Sequence, residues 1–107
     1  MPDTLTILRE LKQLLQAHFP GDIQDVVLFG SQAAGSARKD SDYDVLIVLK
    51  RDYTWKRKKA LRYVCYDIGL KYDIFLDIKI ISFNELHYTI QGKNPVFIQA
   101  LEHGVFA

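Results

Sequence analysis

The hydrophobic pattern of the chain changes period along its length, which predicts helices alternating with strands. The first stretch repeats at helical spacing after a capping Asp3 or Thr4, and Pro20-Gly21 ends it. Its apolar stripe contains Leu5, Leu8, Leu11 and Leu15. Two continuous apolar runs, at about 26–29 and 43–49, predict short buried strands, the second of them central. The first helix is therefore expected to cover a sheet.

The next stretch predicts a long helix and a third strand. Apolar residues at helical spacing indicate a second helix over about 54–69, with Gly69 marking its end. The third strand, over about 72–81, alternates in character. One set of side chains is apolar and the other is mostly polar: Ile74, Leu76, Ile78 and Ile80 against Asp73, Phe75, Asp77 and Lys79. One face of this strand is expected to be packed and the other to carry chemistry.

Two short helices complete the predicted order. Ser82-Phe83-Asn84-Glu85 has the spacing of a capping box for a helix that reaches about Tyr88. Asn94-Pro95 supplies a cap and a first helical residue for the last helix, and Gly104 closes it. Helices and strands in this order indicate an α/β (α+β) fold.

Size and composition limit the architecture and the cellular setting. With 107 residues, 49% of them hydrophobic, the chain suits a single domain over 1–107 with a real core. The formal net charge of +1 lacks the excess of a nonspecific nucleic-acid binder. Cys65 is the only cysteine, which excludes an intrachain disulfide and a cysteine metal cluster. With neither a signal peptide nor an apolar run of membrane-spanning length, a cytoplasmic location is expected.

The first chemical candidate is a pair of carboxylates at the start of the second strand. Asp42 and Asp44 are two residues apart, so in a strand both side chains would project from the same face. At about 4 Å and an effective dielectric near 20, two such charges repel by roughly 4 kcal/mol, and a bound divalent cation would reverse that cost. Oxygen ligands favour Mg²⁺ or Mn²⁺. The alternative is an ordinary polar turn.

The second candidate is the Gly30-Ser31 turn after the first strand. Glycine lets a backbone approach a ligand closely, and Ser31-Gln32-Ala33-Ala34 predicts the first turn of a short helix ending at Gly35. Free N–H groups at a helix start favour anions, so Ser31 would donate to phosphate. Alone, Gly-Ser is only a turn.

Together these segments resemble a known signature. Gly30-Ser31, ten intervening residues and Asp42-x-Asp44 leading into an apolar strand are similar to the motif of the polymerase-beta-like nucleotidyltransferase superfamily. Within it, the stretch Leu28 to Val48 resembles the minimal nucleotidyltransferases. The resemblance implies that superfamily's fold, a small mixed sheet of three or more strands packed against helices. Ala34 departs from it, because many relatives carry Arg there; Arg38 or Lys39 could substitute or be solvated loop charges.

The resemblance also implies a reaction and its residues. Asp42 and Asp44 would hold Mg²⁺ (or Mn²⁺), Gly30 and Ser31 would bind the β and γ phosphates of ATP, and a third acid would complete the metal site. Asp77 matches the family's apolar-Asp-apolar pattern and is favoured over Asp73, which is predicted nearer the start of the same strand. An acceptor hydroxyl would attack the α-phosphorus in line.

The acceptor is left to a partner, since the chain has no residues to spare for an acceptor domain. The minimal nucleotidyltransferases are often encoded beside a helical HEPN-domain protein, typically a toxin, to whose tyrosine the antitoxin is reported to transfer AMP. The resemblance therefore implies an antitoxin that adenylylates a HEPN-type toxin. The alternative is a binding module that retains the fold and masks its partner by contact alone.

A basic run remains outside the motif. Half of the chain's fourteen Lys and Arg residues lie between Lys50 and Arg62, with Tyr53 and Trp55 among them. This run predicts either a solvated start of the second helix or a surface for an acidic partner, nucleic acid or phosphates. Binding of nucleic acid through this run is a third, weaker hypothesis, and an oligomeric state is left open.

Overall fold

The computed structural model of the protein describes residues 3–34 and 42–107, which form one four-stranded mixed sheet with helices on both faces. The helices are α1 (Thr4–His18), α2 (Gly30–Ala34), α3 (Trp55–Tyr72), α4 (Phe83–Tyr88) and α5 (Pro95–His103). The strands are β1 (Ile23–Phe29), β2 (Tyr43–Leu49), β3 (Leu76–Ser82) and β4 (Val105–Phe106), and Ile90–Lys93 forms a 3-10 turn. The α/β fold expected from the sequence is confirmed.

The strand order β3-β2-β1-β4 places β2 and β1 at the centre of the sheet and β3 and β4 at its edges. β1 and β2 are antiparallel, and β2 and β3 are parallel because α3 crosses over between them. In this register Asp44 lies opposite Phe29 on one side and opposite Asp77 on the other. The strand start that carries Asp44 is thereby flanked by the end of β1 and the start of β3.

Alternate residues of the strands feed two separate cores. On one face α1 and α3 bury Leu11, Leu15, Leu61 and Cys65 against the strand residues Val45 and Ile47, among others. On the other face Ala100 of α5 packs with Val27, Leu46, Val48 and Ile81. Asp44 and Asp77 lie on the same face as α5, Asp44 two residues before Leu46 and Asp77 four residues before Ile81. That face is apolar at one end and acidic at the other.

Local signals placed several element ends correctly. Asp3 caps α1 by accepting from the Thr6 N–H at 2.8 Å, and β2 spans the predicted residues. The predicted capping box is present at Ser82, and Asn94 caps α5 with Pro95 at its start. These predictions are confirmed because each depends on residues within a single turn.

Other boundaries differ from those expected. β1 begins at Ile23 rather than 26, and α3 continues past Gly69 to Tyr72. Asp73 then adopts a left-handed conformation (φ 53°, ψ 48°) as the C-cap of α3. β3 therefore starts at Leu76, so the expectation that Asp73 shares a strand face with Asp77 is wrong. The polar face of β3 is also shorter than expected, because Asp73 and Phe75 precede the strand.

Two elements were not expected from the sequence. β4 pairs with β1 through Val27 and Leu28, and the 3-10 turn links α4 to α5. Within the ranges described, none of the helices combines the length and the apolar character that crossing a membrane would require.

Candidate active site

The parallel pairing of β2 with β3 brings Asp44 and Asp77 side by side. They are register partners, and the pairing begins one residue earlier where Tyr43 N–H donates to the Phe75 carbonyl at 2.9 Å. Both side chains are partly exposed. Because parallel register fixes their relative position, the juxtaposition is a property of the backbone and does not depend on a rotamer.

The charges around Asp44 oppose its ionisation. Burial raises the pKa of the Asp44 carboxyl, and the negative charge and hydrogen bonding of Asp77 and the charge of Asp42 raise it further. The ammonium of Lys79 acts in the opposite direction, and it lies 3.9 Å from Asp77 Oδ1. Among the described residues, the charge of Lys79 does not offset the acids, so Asp44 stays in a net repulsive field, the condition that a bound divalent ion would relieve.

Asp42 lies just before β2 and is exposed. It is near enough to act on the charge of Asp44, yet no three Asp, Glu, His or Cys side chains within 3–34 and 42–107 are grouped closely enough to hold one metal ion. The three acids predicted from the sequence thus appear as a close pair, Asp44 and Asp77, with Asp42 at its edge. Mg²⁺ commonly takes one or two protein carboxylates and completes its shell with phosphate oxygens and water, so the pair fits such an ion.

Gly30 fits closely against this acidic pair. It begins α2 with φ +74°, and a Cβ built on it would lie 3.2 Å from Asp44 Cγ and would overlap Asp44 Oδ2. Only glycine satisfies both conditions. The short helix predicted after Gly30 is confirmed through Ala34. The Ser31 and Ala34 side chains, and Gly35, Arg38 and Lys39, lie outside what the structure describes.

A cavity of about 440 Å³ opens beside Gly30. Phe29, Gly30 and Ala33 form one wall, and Val96, Gln99 and His103 of α5 form the other. Its size and mainly apolar lining are those of a small-molecule pocket. Sequence reasoning missed the α5 residues, because their contribution depends on α5 returning over β1.

Three arginines of the basic run make contacts with other parts of the fold. Arg51 and Arg57 both pair with Asp22, at 2.5 and 3.1 Å, and Arg57 also lies over the Phe19 ring. Arg62 donates to the Ile78 carbonyl at 2.6 Å, and Tyr53 donates to the Ile80 carbonyl at 3.3 Å. These donors engage carbonyls of β3, an outer strand of the sheet.

The lone cysteine is removed from any chemistry at the site. Cys65 is buried on the α1/α3 face of the sheet, and burial raises the pKa of its thiol to about 12. A thiol held neutral in this way is neither a good nucleophile nor a metal ligand.

Comparison with known proteins agrees with the sequence signature. The chain matches the nucleotidyltransferase domain family over residues 7–99. It is 34% identical over 74 residues to the Methanocaldococcus jannaschii protein named "Putative protein adenylyltransferase MJ0141", covering 69% of this chain and 75% of that protein. A second protein of that organism, "Putative protein adenylyltransferase MJ0604", is 30% identical over 70 residues, 65% of either chain.

Solved structures show the same fold. A toxin–antitoxin crystal structure with AMP-PNP has a TM-score of 0.61 at 18% identity, covering 92% of this chain and 69% of that one. The MntA–HepT toxin–antitoxin structure gives 0.59 at 16%, covering 96% and 70%. A "putative nucleotidyltransferase" from Sulfolobus solfataricus gives 0.56 at 20%, covering 95% and 77%.

The family match spans most of the chain, and the fold neighbours share the polymerase-beta-like architecture. The structure brings together Gly30, Asp44 and Asp77, three of the residues that the sequence analysis predicted for a donor site. This protein belongs to the nucleotidyltransferase domain family, and it is a nucleotidyltransferase.

Proposed function

We propose that this protein transfers AMP from ATP to a hydroxyl group of a partner protein. The single observation that supports this most directly is the register match of Asp44 with Asp77, with Gly30 packed against Asp44. Two repelling carboxylates beside a glycine-initiated helix start offer a place for a divalent ion and for phosphate.

The residues of the candidate site have distinct roles in this proposal. Asp44 and Asp77 would hold Mg²⁺, with Asp42 contributing from the edge, and the bound ion would supply charge neutralisation at the α-phosphate. Gly30 leaves room for the β and γ phosphates, and Ser31 is the proposed hydroxyl donor to them. Asp77, half-exposed beside Lys79, accepts the proton of the attacking hydroxyl.

The nucleoside is assigned to the cavity beside Gly30. The cavity adjoins the proposed phosphate site, and its volume of about 440 Å³ is large enough for a base and a ribose. Phe29 and Val96 offer apolar contact, and the Gln99 amide offers both a donor and an acceptor.

The acceptor is proposed to be a toxin partner of the HEPN type, modified on a tyrosine. Two observations favour a protein acceptor: relatives named as protein adenylyltransferases, and fold neighbours solved as toxin–antitoxin assemblies. In this proposal the chain acts as the antitoxin, and cytoplasmic location follows from its role.

Incubation with labelled ATP, Mg²⁺ and the protein encoded in the adjacent gene tests the proposal. Label from the α-phosphate should appear on the partner and label from the γ-phosphate should not, since only the first distinguishes nucleotidyl from phosphoryl transfer. Asp42→Ala/Asp44→Ala should abolish labelling. Asp25→Asn, at the opposite end of β1, is the matched control. Equal labelling by wild type and the double variant would refute the proposal.

A second candidate function is a binding module that neutralises its partner by contact. It is favoured by the finding that the described acids form a pair rather than a three-ligand cluster. In that case the same double variant should neutralise the partner as well as wild type does, without any labelling.

A further inference from the structure

Helix α3 is apolar on two opposite faces. Its inner face buries Leu61, Val64, Cys65 and Ile68. Its outer face, which we call the α3 outer stripe, exposes Trp55 (71%), Tyr63 (61%), Tyr66 (50%) and Leu70 (82%) to solvent. These four positions, at helical spacing, lie on the side opposite the buried ones. A helix that is apolar on both sides is expected to be covered on both sides.

The stripe continues beyond the helix end. Phe75 is 69% exposed, and a groove of about 420 Å³ runs between it, Tyr66 and Leu70. Tyr63 and Tyr66 already make an edge-to-face contact at 6.4 Å between ring centroids, and the Lys59 ammonium lies 5.9 Å from the Tyr63 ring centroid. The aromatic surface is therefore arranged before any partner arrives.

The charges beside the stripe divide along the helix. Its first half exposes Lys56 and Lys59, and its second half exposes Asp67, with Asp73 at the C-cap. Other cations of α3 are engaged, Arg57 with Asp22 and Lys71 with Glu10. A uniformly acidic partner would be repelled by Asp67 and Asp73. A surface that is acidic opposite the first half of α3 and basic opposite the second half would be complementary to both.

The surface that has this reversed order is the same helix turned end for end. We propose that the α3 outer stripe is the interface of a homodimer in which two α3 helices pack antiparallel about a twofold axis at Tyr63. In that arrangement Lys59 of one copy lies opposite Asp67 of the other, and Lys56 opposite Leu70, whose side chain its methylenes can cover. Antiparallel packing also opposes the two helix dipoles favourably.

The available apolar area is of the right order. A fully exposed aromatic side chain offers about 150–250 Å², so the exposed parts of the stripe and Phe75 offer on the order of 600 Å². A standard interface needs about 800 Å² from each partner, and the flanking Lys and Asp side chains can supply the difference. The nucleotide site lies on the opposite face of the sheet and stays open in such a dimer.

Sedimentation equilibrium of the full chain over a range of concentrations tests the dimer. Wild type should dimerise, and Tyr66→Glu/Leu70→Glu should weaken the dimer by more than about 30-fold. Tyr88→Glu/Ile90→Glu is the matched control, because these side chains are 76% and 84% exposed on another surface. A wild type that stays monomeric at every concentration, or a dimer that the first variant leaves intact, would overturn the proposal.

Two further variants test the antiparallel arrangement. Tyr63→Cys should form a disulfide-linked dimer on mild oxidation, while Trp55→Cys should not. Linkage at 55 would indicate parallel packing, and absence of linkage at 63 would exclude the twofold axis at Tyr63; either result overturns the arrangement. Lys59→Glu and Asp67→Lys should each weaken the dimer, and the double variant should restore it. Absence of that restoration would refute the Lys59–Asp67 pairing.

Discussion

At the start of β2, Asp44 faces a second carboxylate, whereas three residues beyond the end of the same strand Asp52 faces donors. Asp52 accepts from Ser82 Oγ at 2.7 Å and from the Asn84 amide at 3.2 Å. These hydrogen bonds lower the pKa of Asp52, while burial and the neighbouring acids raise the pKa of Asp44. The same residue type is thus stabilised as an anion at one end and penalised at the other.

The difference separates a structural acid from a candidate functional one. Asp52 ties the loop between β2 and α3 to the start of α4, since its partners Ser82 and Asn84 belong to the capping region of α4. Asp44 and Asp77 bring no comparable benefit to the fold and have only Lys79 as a described cationic neighbour. The pair is therefore a candidate site for a bound cation.

The largest difference in effect is expected between the alanine substitutions of Asp77 and of Asp52. Asp77→Ala should lower nucleotidyl transfer by about 10²–10³-fold through loss of a metal ligand and proton acceptor, with stability unchanged or increased. Asp52→Ala should leave transfer within about threefold but lower the free energy of unfolding, because the buried Ser82 hydroxyl loses its acceptor. Labelling rates and urea unfolding measure both. Equal effects of the two substitutions on transfer would remove the distinction.

A glycine pair provides the next contrast. Gly30 and Gly21 have nearly the same φ, +74° and +78°, but a Cβ on Gly21 meets nothing within 4 Å. Gly21→Ala should therefore cost only the conformational penalty, about 1–2 kcal/mol. Gly30→Ala should cost more and displace the Asp44 carboxylate, reducing transfer by about 10-fold or more. Thermal unfolding measures the stability of the two variants, and labelling measures their transfer rates. Similar transfer rates would show that Gly30 is only a turn residue.

The raised pKa of Asp44 predicts that removing the charge of this side chain stabilises the protein in a pH-dependent way. When the pKa of a carboxyl is higher in the folded state than in the unfolded state, the protein loses stability as the pH rises through the folded-state pKa. Asp44→Asn should thus match wild type at acid pH and melt at a higher temperature near neutral pH without metal. Added Mg²⁺ should raise the melting temperature of wild type more than that of the variant. A variant less stable than wild type at neutral pH would contradict the repulsion.

The smallest effect is expected in the basic run. Arg51→Ala should cost about 1 kcal/mol or less, because its side chain is exposed and Asp22 keeps Arg57 at 3.1 Å. The difference should shrink further in high salt. A loss of several kcal/mol in urea unfolding would indicate that Arg51 does more than neutralise a half-buried acid.

Local sequence signals predicted most of the fold. The bounds of β2, the Ser82 capping box and the Asn94-Pro95 start of α5 each depend on residues close in the chain. The alternation of β3 also placed Asp77 on the face opposite Leu76 and Ile78. Its position beside Asp44 required more, since a register between distant strands is set by the length of the α3 crossover.

The error at Asp73 has a physical cause. In the sequence, Gly69 indicates the end of α3. In the structure the Gly69 carbonyl accepts the N–H groups of Asp73 and Ile74, so the helix continues to Tyr72 and Asp73 is its C-cap. A Cβ at Gly69 would approach the Ile74 carbonyl at 3.0 Å, so close packing accounts for the glycine. The cavity wall from α5 could not be predicted either, because it arises from long-range packing.

The crossover that pairs β2 with β3 also has a kinetic meaning. Asp44 and Asp77 are far apart in the chain and meet only when β3 docks, so their repulsion falls on the step that closes the α3 crossover. Neutral pH should slow that step, and Asp44→Asn or a bound divalent ion should speed it. Stopped-flow refolding would then report on the charge repulsion of the acidic pair before any nucleotide is present.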